Sequence, residues 1–148
     1  MVDKGRQRMI AGINKVGGRA DCAEAVVLQQ RNGAAVAGLL VVFVVAMTLI
    51  QITVELPTLV AGGIAGLIMG LGITVLTTNY WLGYCSGDVL LVKTNRWGTS
   101  AVDVVARYSY PVDASISSGL VTKKVQIDDV DYVMARQFED RLRSVTGS

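Results

Sequence analysis

The chain contains no histidine in its 148 residues. That absence excludes Ser-His-Asp and Cys-His nucleophile systems, the common zinc ligand sets and any imidazole proton shuttle. Cysteine is nearly as scarce: Cys22 and Cys85 stand alone, without a CxxC or metal-type spacing. They are expected to be two buried or incidental thiols in a reducing compartment. No P-loop is present, and Gly70-Leu-Gly72 lies inside an apolar run, so no nucleotide or other cofactor site is expected. Asp128, Asp129 and Asp131 lack the glycine and distal glutamate of an EF-hand loop and read as a solvated turn. A net charge of +2 is too small to suggest nucleic-acid binding. With no candidate nucleophile, base or metal cluster, the sequence points away from an enzyme.

Charge itself is missing over two long stretches. None occurs between Arg31 and Glu55, or between Glu55 and Asp88. Residues 34–54 and 58–78 are therefore expected to form a transmembrane helical hairpin, since about 20 residues at a rise of 1.5 Å cross roughly 30 Å of hydrocarbon. The abundant Val and Ile would suit a strand, but strands rarely exceed about ten residues. Pro57 cannot continue the first helix and is well placed to start the second. Neither span carries a polar face for water, and neither contains an ionisable residue of the kind that marks proton relays and ion pathways. Thr48, Gln51, Thr53, Thr74, Thr77 and Thr78 are read as bonding to a neighbouring helix. In the second span Gly62, Gly66 and Gly70 recur every fourth residue, a small-xxx-small row. Two contacts fit this row. The preferred one is packing inside the hairpin against Ala37, Gly38 and Ala46; the other is an oligomer built on that face.

Basic residues set the topology. Lys4, Arg6, Arg8, Lys15, Arg19 and Arg31 precede the hairpin, eight more follow it, and the connecting loop holds only Glu55. Both termini are thus expected in the cytoplasm, with the protein in the plasma (inner) membrane. In residues 1–33, Met9, Ile10, Ile13 and Val16 recur at helical spacing. Arg6, Arg8, Lys15 and Arg19 around them suggest a basic amphipathic segment at the lipid headgroups, or a basic leader whose only role is topological. Asp21-Cys-Ala-Glu24 resembles a capping box, predicting a helix through Val26, Val27 and Gln30 that ends at Asn32-Gly33. Tyr80, Trp81 and Tyr84, just after the second span, have the amphipathic character of an interfacial aromatic belt.

Residues 79–148 read as a separate cytoplasmic α+β domain, an antiparallel sheet with a closing C-terminal helix. Asp88–Thr94 is a predicted strand and Asn95–Gly98 a turn. Val102–Tyr110 is a second strand stopping at Pro111, and Leu120–Ile127 a third. Beyond Asp131 the pattern fits either one amphipathic helix or a strand over Tyr132–Arg136 followed by a helix from about Gln137.

The segments Val89-Leu-Leu-Val-Lys-Thr-Asn-Arg96, Asp103-Val-Val-Ala-Arg-Tyr108 and Asp131-Tyr-Val-Met-Ala-Arg-Gln-Phe138 resemble the cytoplasmic tail of small bacterial membrane proteins. Those proteins place a PH-like domain after a two-helix transmembrane hairpin. The resemblance covers about residues 88–145. It implies a strand running into the closing helix at the last motif, and a membrane-tethered binding or scaffold module without catalytic residues. The expected protein is a non-enzymatic anchor or adaptor. Its partners would be the lipid bilayer and a protein partner or further copies of itself. The alternative is a small oligomeric pore or holin-like protein assembled on the glycine face.

Overall fold

The computed structural model of the chain describes residues 3–55 and 57–147. Helix α1 (Lys4–Gly17) starts where the Asp3 carboxylate accepts from the Gly5 N–H at 3.1 Å, and stops at Gly18, whose φ of 64° suits a residue without a Cβ. Strand β1 (Cys22–Arg31) leads into α2 (Gly33–Thr53), which is followed by α3 (Thr58–Leu76) and β2 (Thr77–Cys85). Then come β3 (Asp88–Thr94), β4 (Ala101–Ser109), β5 (Ala114–Ile116), β6 (Thr122–Ile127) and β7 (Val130–Ala135). A 3₁₀ turn over Arg136–Phe138 runs into the terminal helix α4 (Glu139–Thr146).

The seven strands form one antiparallel sheet in the order β4-β3-β2-β1-β7-β6-β5. Strand β1 is the seam of this sheet, lying between β2 and β7. The chain divides into two compact units: one is everything up to Gln30 together with everything from Thr78, the other is Arg31–Thr77. The helical hairpin is thus an insertion between two neighbouring strands. The segments before and after it, read from the sequence as two separate pieces, share one sheet, whose central strand comes from the N-terminal one.

Residues 22–31 form a strand, where a capped helix was expected. The reason lies in burial on both faces. Val26 and Leu28 belong to one core cluster, with Leu82, Leu91, Val125, Met134 and Leu142, while Cys22 and Ala25 belong to a second, with Met9, Ile13, Trp81 and Leu90. A central strand covered on both sides loses the alternation that identifies a half-exposed one. Asn32, read as a helix end, instead caps the start of α2, its side chain accepting from the Ala35 N–H at 3.3 Å. Further along, Asp88–Thr94 is the strand that the pattern predicts, and residues 130–135 are a strand before the closing helix rather than one continuous helix. The short strand β5 had no signal in the sequence. At the β6–β7 turn Asp128 and Asp129 adopt φ of 52° and 61°, a left-handed pair that matches the twist of a tight hairpin.

Within the hairpin, α2 has 21 residues and α3 has 19, enough to cross about 30 Å each. Their contact is made by Ala61 and Ala65, both buried, facing Leu39, Phe43 and Ala46 across a small apolar gap. Gly72 also belongs here, because a Cβ on it would stand 2.5 Å from Leu39 Cδ2. Gly62, Gly66 and Gly70 do not: a Cβ at any of them meets no atom within 4 Å. The hairpin contact therefore uses a neighbouring row of small residues, and the glycine row faces away from it. The hydroxyls of Thr48, Thr53 and Thr74 donate to the carbonyls four residues earlier in their own helices, and that of Thr77, at the start of β2, donates to the Ile73 carbonyl of α3, all at 2.7–2.8 Å, rather than to a neighbouring helix.

Candidate functional site

The residues expected at a lipid interface are distributed differently in the fold. On α1, Met9, Ile13 and Gly17 recur every fourth residue and are buried against the sheet, so the apolar face of this helix is already covered. Arg6 is ion-paired with Glu24 and also donates to the Ala23 carbonyl of β1 at 3.1 Å. Arg19 makes a two-pronged contact with Asp21 at 2.9 and 3.0 Å and a further ion pair with Asp88 at the start of β3. Hydrogen bonding to Arg19, and secondarily to Ser86, pulls the Asp21 carboxyl down to about 2, while Asp21 and Asp88 raise the guanidinium. Arg8 and Lys15 alone of the four stay on the exposed side.

Of the aromatic trio after α3, Trp81 is buried, and Tyr80 and Tyr84 are half-buried against the core. Trp81 is 2% exposed and lies beneath α1, where a Cβ on Gly12 would come within 2.7 Å of its ring. Tyr80 packs edge-on against Tyr132 at 5.6 Å and donates to the Gln30 side chain at 3.1 Å. Tyr84 packs against Tyr110 at 4.9 Å. Burial raises the phenols of Tyr108 and, to about 12, Tyr132, with the charge of Asp128 adding to each. Both stay neutral at ordinary pH and act as packing groups. Position in the sequence suggests a belt, but a strand beginning at Thr77 turns Trp81 into the core and packs Tyr80 and Tyr84, half-buried, against it.

Where β1 and β2 run alongside each other, a polar cluster ties the two strands to the β3–β4 turn. Asn79 accepts from the Gln29 side chain at 3.1 Å and donates to the Arg96 carbonyl at 3.2 Å, and its own carbonyl accepts from the Thr94 hydroxyl at 3.0 Å. The turn is fixed from within by Asn95, whose side chain accepts from the Thr99 and Ser100 N–H groups at 2.8 and 3.3 Å. Gly98 supplies the left-handed residue, with φ of 68°. At the tip of this braced turn Trp97 is 68% exposed, beside the exposed Arg96. Sequence reasoning assigned these four residues to a turn and attached no role to the indole.

A second candidate is an open cavity of about 550 Å³, lined by Arg107, Tyr108, Asp113, Gln126, Asp128 and Asp129 among others. Its lining carries one cation against three carboxylates and no nucleophile paired with a base. Among the described residues no group of three or more Cys, Asp or Glu side chains is placed to hold a metal ion.

Cys22 and Cys85 require the largest revision. They are joined by a disulfide between β1 and β2, and both are buried. Sixty-three positions separate them in sequence, and the whole hairpin lies between, so spacing gave no hint of the pairing. Protein-family models, curated proteins and solved structures contain no match to this chain.

Proposed function

We propose that this chain is a non-enzymatic integral membrane anchor, whose sheet module holds a protein partner or further copies of the chain at the membrane. The observation that carries this reading is the bare hairpin. Leu40, Val41, Ile52, Leu59 and Leu67 are among a continuous set of apolar side chains that α2 and α3 leave exposed. None of the most apolar stretch of α2 is buried, and 11% of that of α3. Apolar surface of this extent does not persist in water, and hydrocarbon supplies the missing cover. The threonine hydroxyls satisfied within their own helices suit the same surroundings. A seven-stranded antiparallel sheet with a C-terminal helix supports a PH-like reading of the module, with β1 as the strand that residues 88–145 lack.

The excess of Lys and Arg on both sides of the hairpin, against none in its loop, favours a module on the cytoplasmic face. The Cys22–Cys85 bond favours the opposite face, because disulfides persist in oxidising compartments. Reporters fused to the C-terminus decide between the two. A fluorescent protein there should glow and alkaline phosphatase should stay inactive; an active phosphatase reverses the orientation.

A second reading, self-assembly through α3, is favoured by the open side at Gly62, Gly66 and Gly70. Gly66→Leu should leave the melting of the detergent-solubilised chain unchanged and convert oligomers to monomers. Gly72→Leu should instead loosen the hairpin, by about 1–3 kcal/mol of overpacking against Leu39. Unchanged mass for Gly66→Leu removes the glycine row from any assembly.

A further inference from the structure

We infer that the β3–β4 turn, with Trp97 at its tip, is the module's lipid contact, seating the indole among the phospholipid headgroups. The inference rests on the membrane reading above and adds to it a specific surface.

Three observations carry it. The first is reach. Helix α3 ends at Leu76, and Asn79, three residues on, donates to the Arg96 carbonyl at 3.2 Å. Three residues span at most about 10 Å, so the covalent chain and this hydrogen bond together set an upper limit on the distance from Leu76 to the turn backbone. The headgroup layer on each side of the hydrocarbon is itself about 5–8 Å deep. The second is rigidity. Asn95 accepts from two N–H groups of the turn, its own N–H donates to the Ser100 carbonyl at 2.9 Å, and the Gly98 N–H donates to the Asn95 carbonyl at 2.9 Å. The backbone that carries Trp97 is thus held in place, with the indole exposed on it.

The third observation is chemistry. Trp97 is 68% exposed, whereas the chain's other tryptophan is 2% exposed. An indole has an apolar body and one N–H donor, a combination matched at the boundary between acyl chains and water. Arg96 next to it and Lys93 at the end of β3 are both exposed, and they suit the phosphate layer immediately outside. Tyr80, Trp81 and Tyr84 are nearer to α3 in sequence, but Trp81 is buried and the two tyrosines are half-buried, each packed on a second tyrosine of the module.

The full chain in lipid nanodiscs tests the proposal through tryptophan fluorescence. Phosphatidylcholine brominated near the headgroup end of its acyl chains should quench roughly half the emission, one of two tryptophans, leaving the buried one. That loss should vanish in Trp97→Phe, which removes the exposed indole fluorophore and leaves the core intact. Quenching of Trp97 by aqueous acrylamide with none by bromolipid would overturn the inference, as would protection from both, which would mean that protein covers the turn. Alkaline extraction of native membranes separates the two levels. A chain released into the supernatant refutes the anchor itself, whereas one retained in the membrane with a water-quenched Trp97 refutes only the lipid contact.

Discussion

Replacing residues 32–76 by an Asn-Gly dipeptide should yield a water-soluble, cooperatively folding module, while residues 78–148 expressed alone should not fold. The two outcomes follow from the place of β1. Strands β1 and β2 are antiparallel neighbours, so their connection is topologically a hairpin loop into which two helices have been inserted. A two-residue Asn-Gly connection supplies the positive φ values that such a tight turn requires. The shorter fragment loses the seam of the sheet and the helix beneath it. Ile13, Val26 and Leu28 are each fully buried, and together their burial contributes about 5–9 kcal/mol, against a total stability of about 5–15 for a domain of this size. Strands β2 and β7 would also each lose a ladder partner. Circular dichroism and amide dispersion in NMR spectra distinguish the cases. A folded 78–148 fragment, or an unfolded Asn-Gly chain, would refute this account of the sheet.

The second large effect concerns the two tryptophans, which the same substitution should separate. Trp81→Ala is expected to destabilise the module by about 3–5 kcal/mol, the usual range for emptying a buried aromatic site. For about 100 residues that lowers the melting temperature by at least about 12 °C. The indole fills the space between α1 and the sheet, in contact with the cluster of Met9, Ile13, Leu90 and Val92. Its N–H is buried without an acceptor, so Trp81→Phe gives up volume but no hydrogen bond and should cost much less. Trp97→Ala, at an exposed position, should stay within about 0.5 kcal/mol of wild type. Thermal melts of the three variants in detergent measure the difference. Equal losses at positions 81 and 97 would mean that α1 does not pack over the sheet as described.

Some elements could be read from residues alone. The charge-free runs marked both long helices to within two residues at each end, because stretches of 19–21 residues without a charge are too long for a strand. Asp88–Thr94 was legible in the pattern of its residues, whereas residues 130–135 fitted strand and helix equally and only a family resemblance chose the strand. What could not be read were the long-range pairings. Ala25, Val26 and Leu28 are equally suited to a helix face, and only the partners on either side, β2 and β7, make them a strand. Trp81 and Trp97 likewise differ in nothing local that predicts which is buried. The glycine row of α3 was conspicuous, yet the hairpin closes on Ala61, Ala65 and Gly72, since face selection depends on where Leu39 and Phe43 stand on α2.

The position of β1 also imposes an order on synthesis. Residues 22–31 leave the ribosome before the hairpin, and their neighbours on both sides, β2 and β7, come after it. At about 5–20 residues per second, the strand waits roughly 2–9 s for β2 and longer for β7. If only one of the two helices crossed the bilayer, β1 and β2 would be stranded on opposite sides and the seam could never close. Under the proposed membrane reading, closure of the seam therefore requires that both helices cross or that neither does.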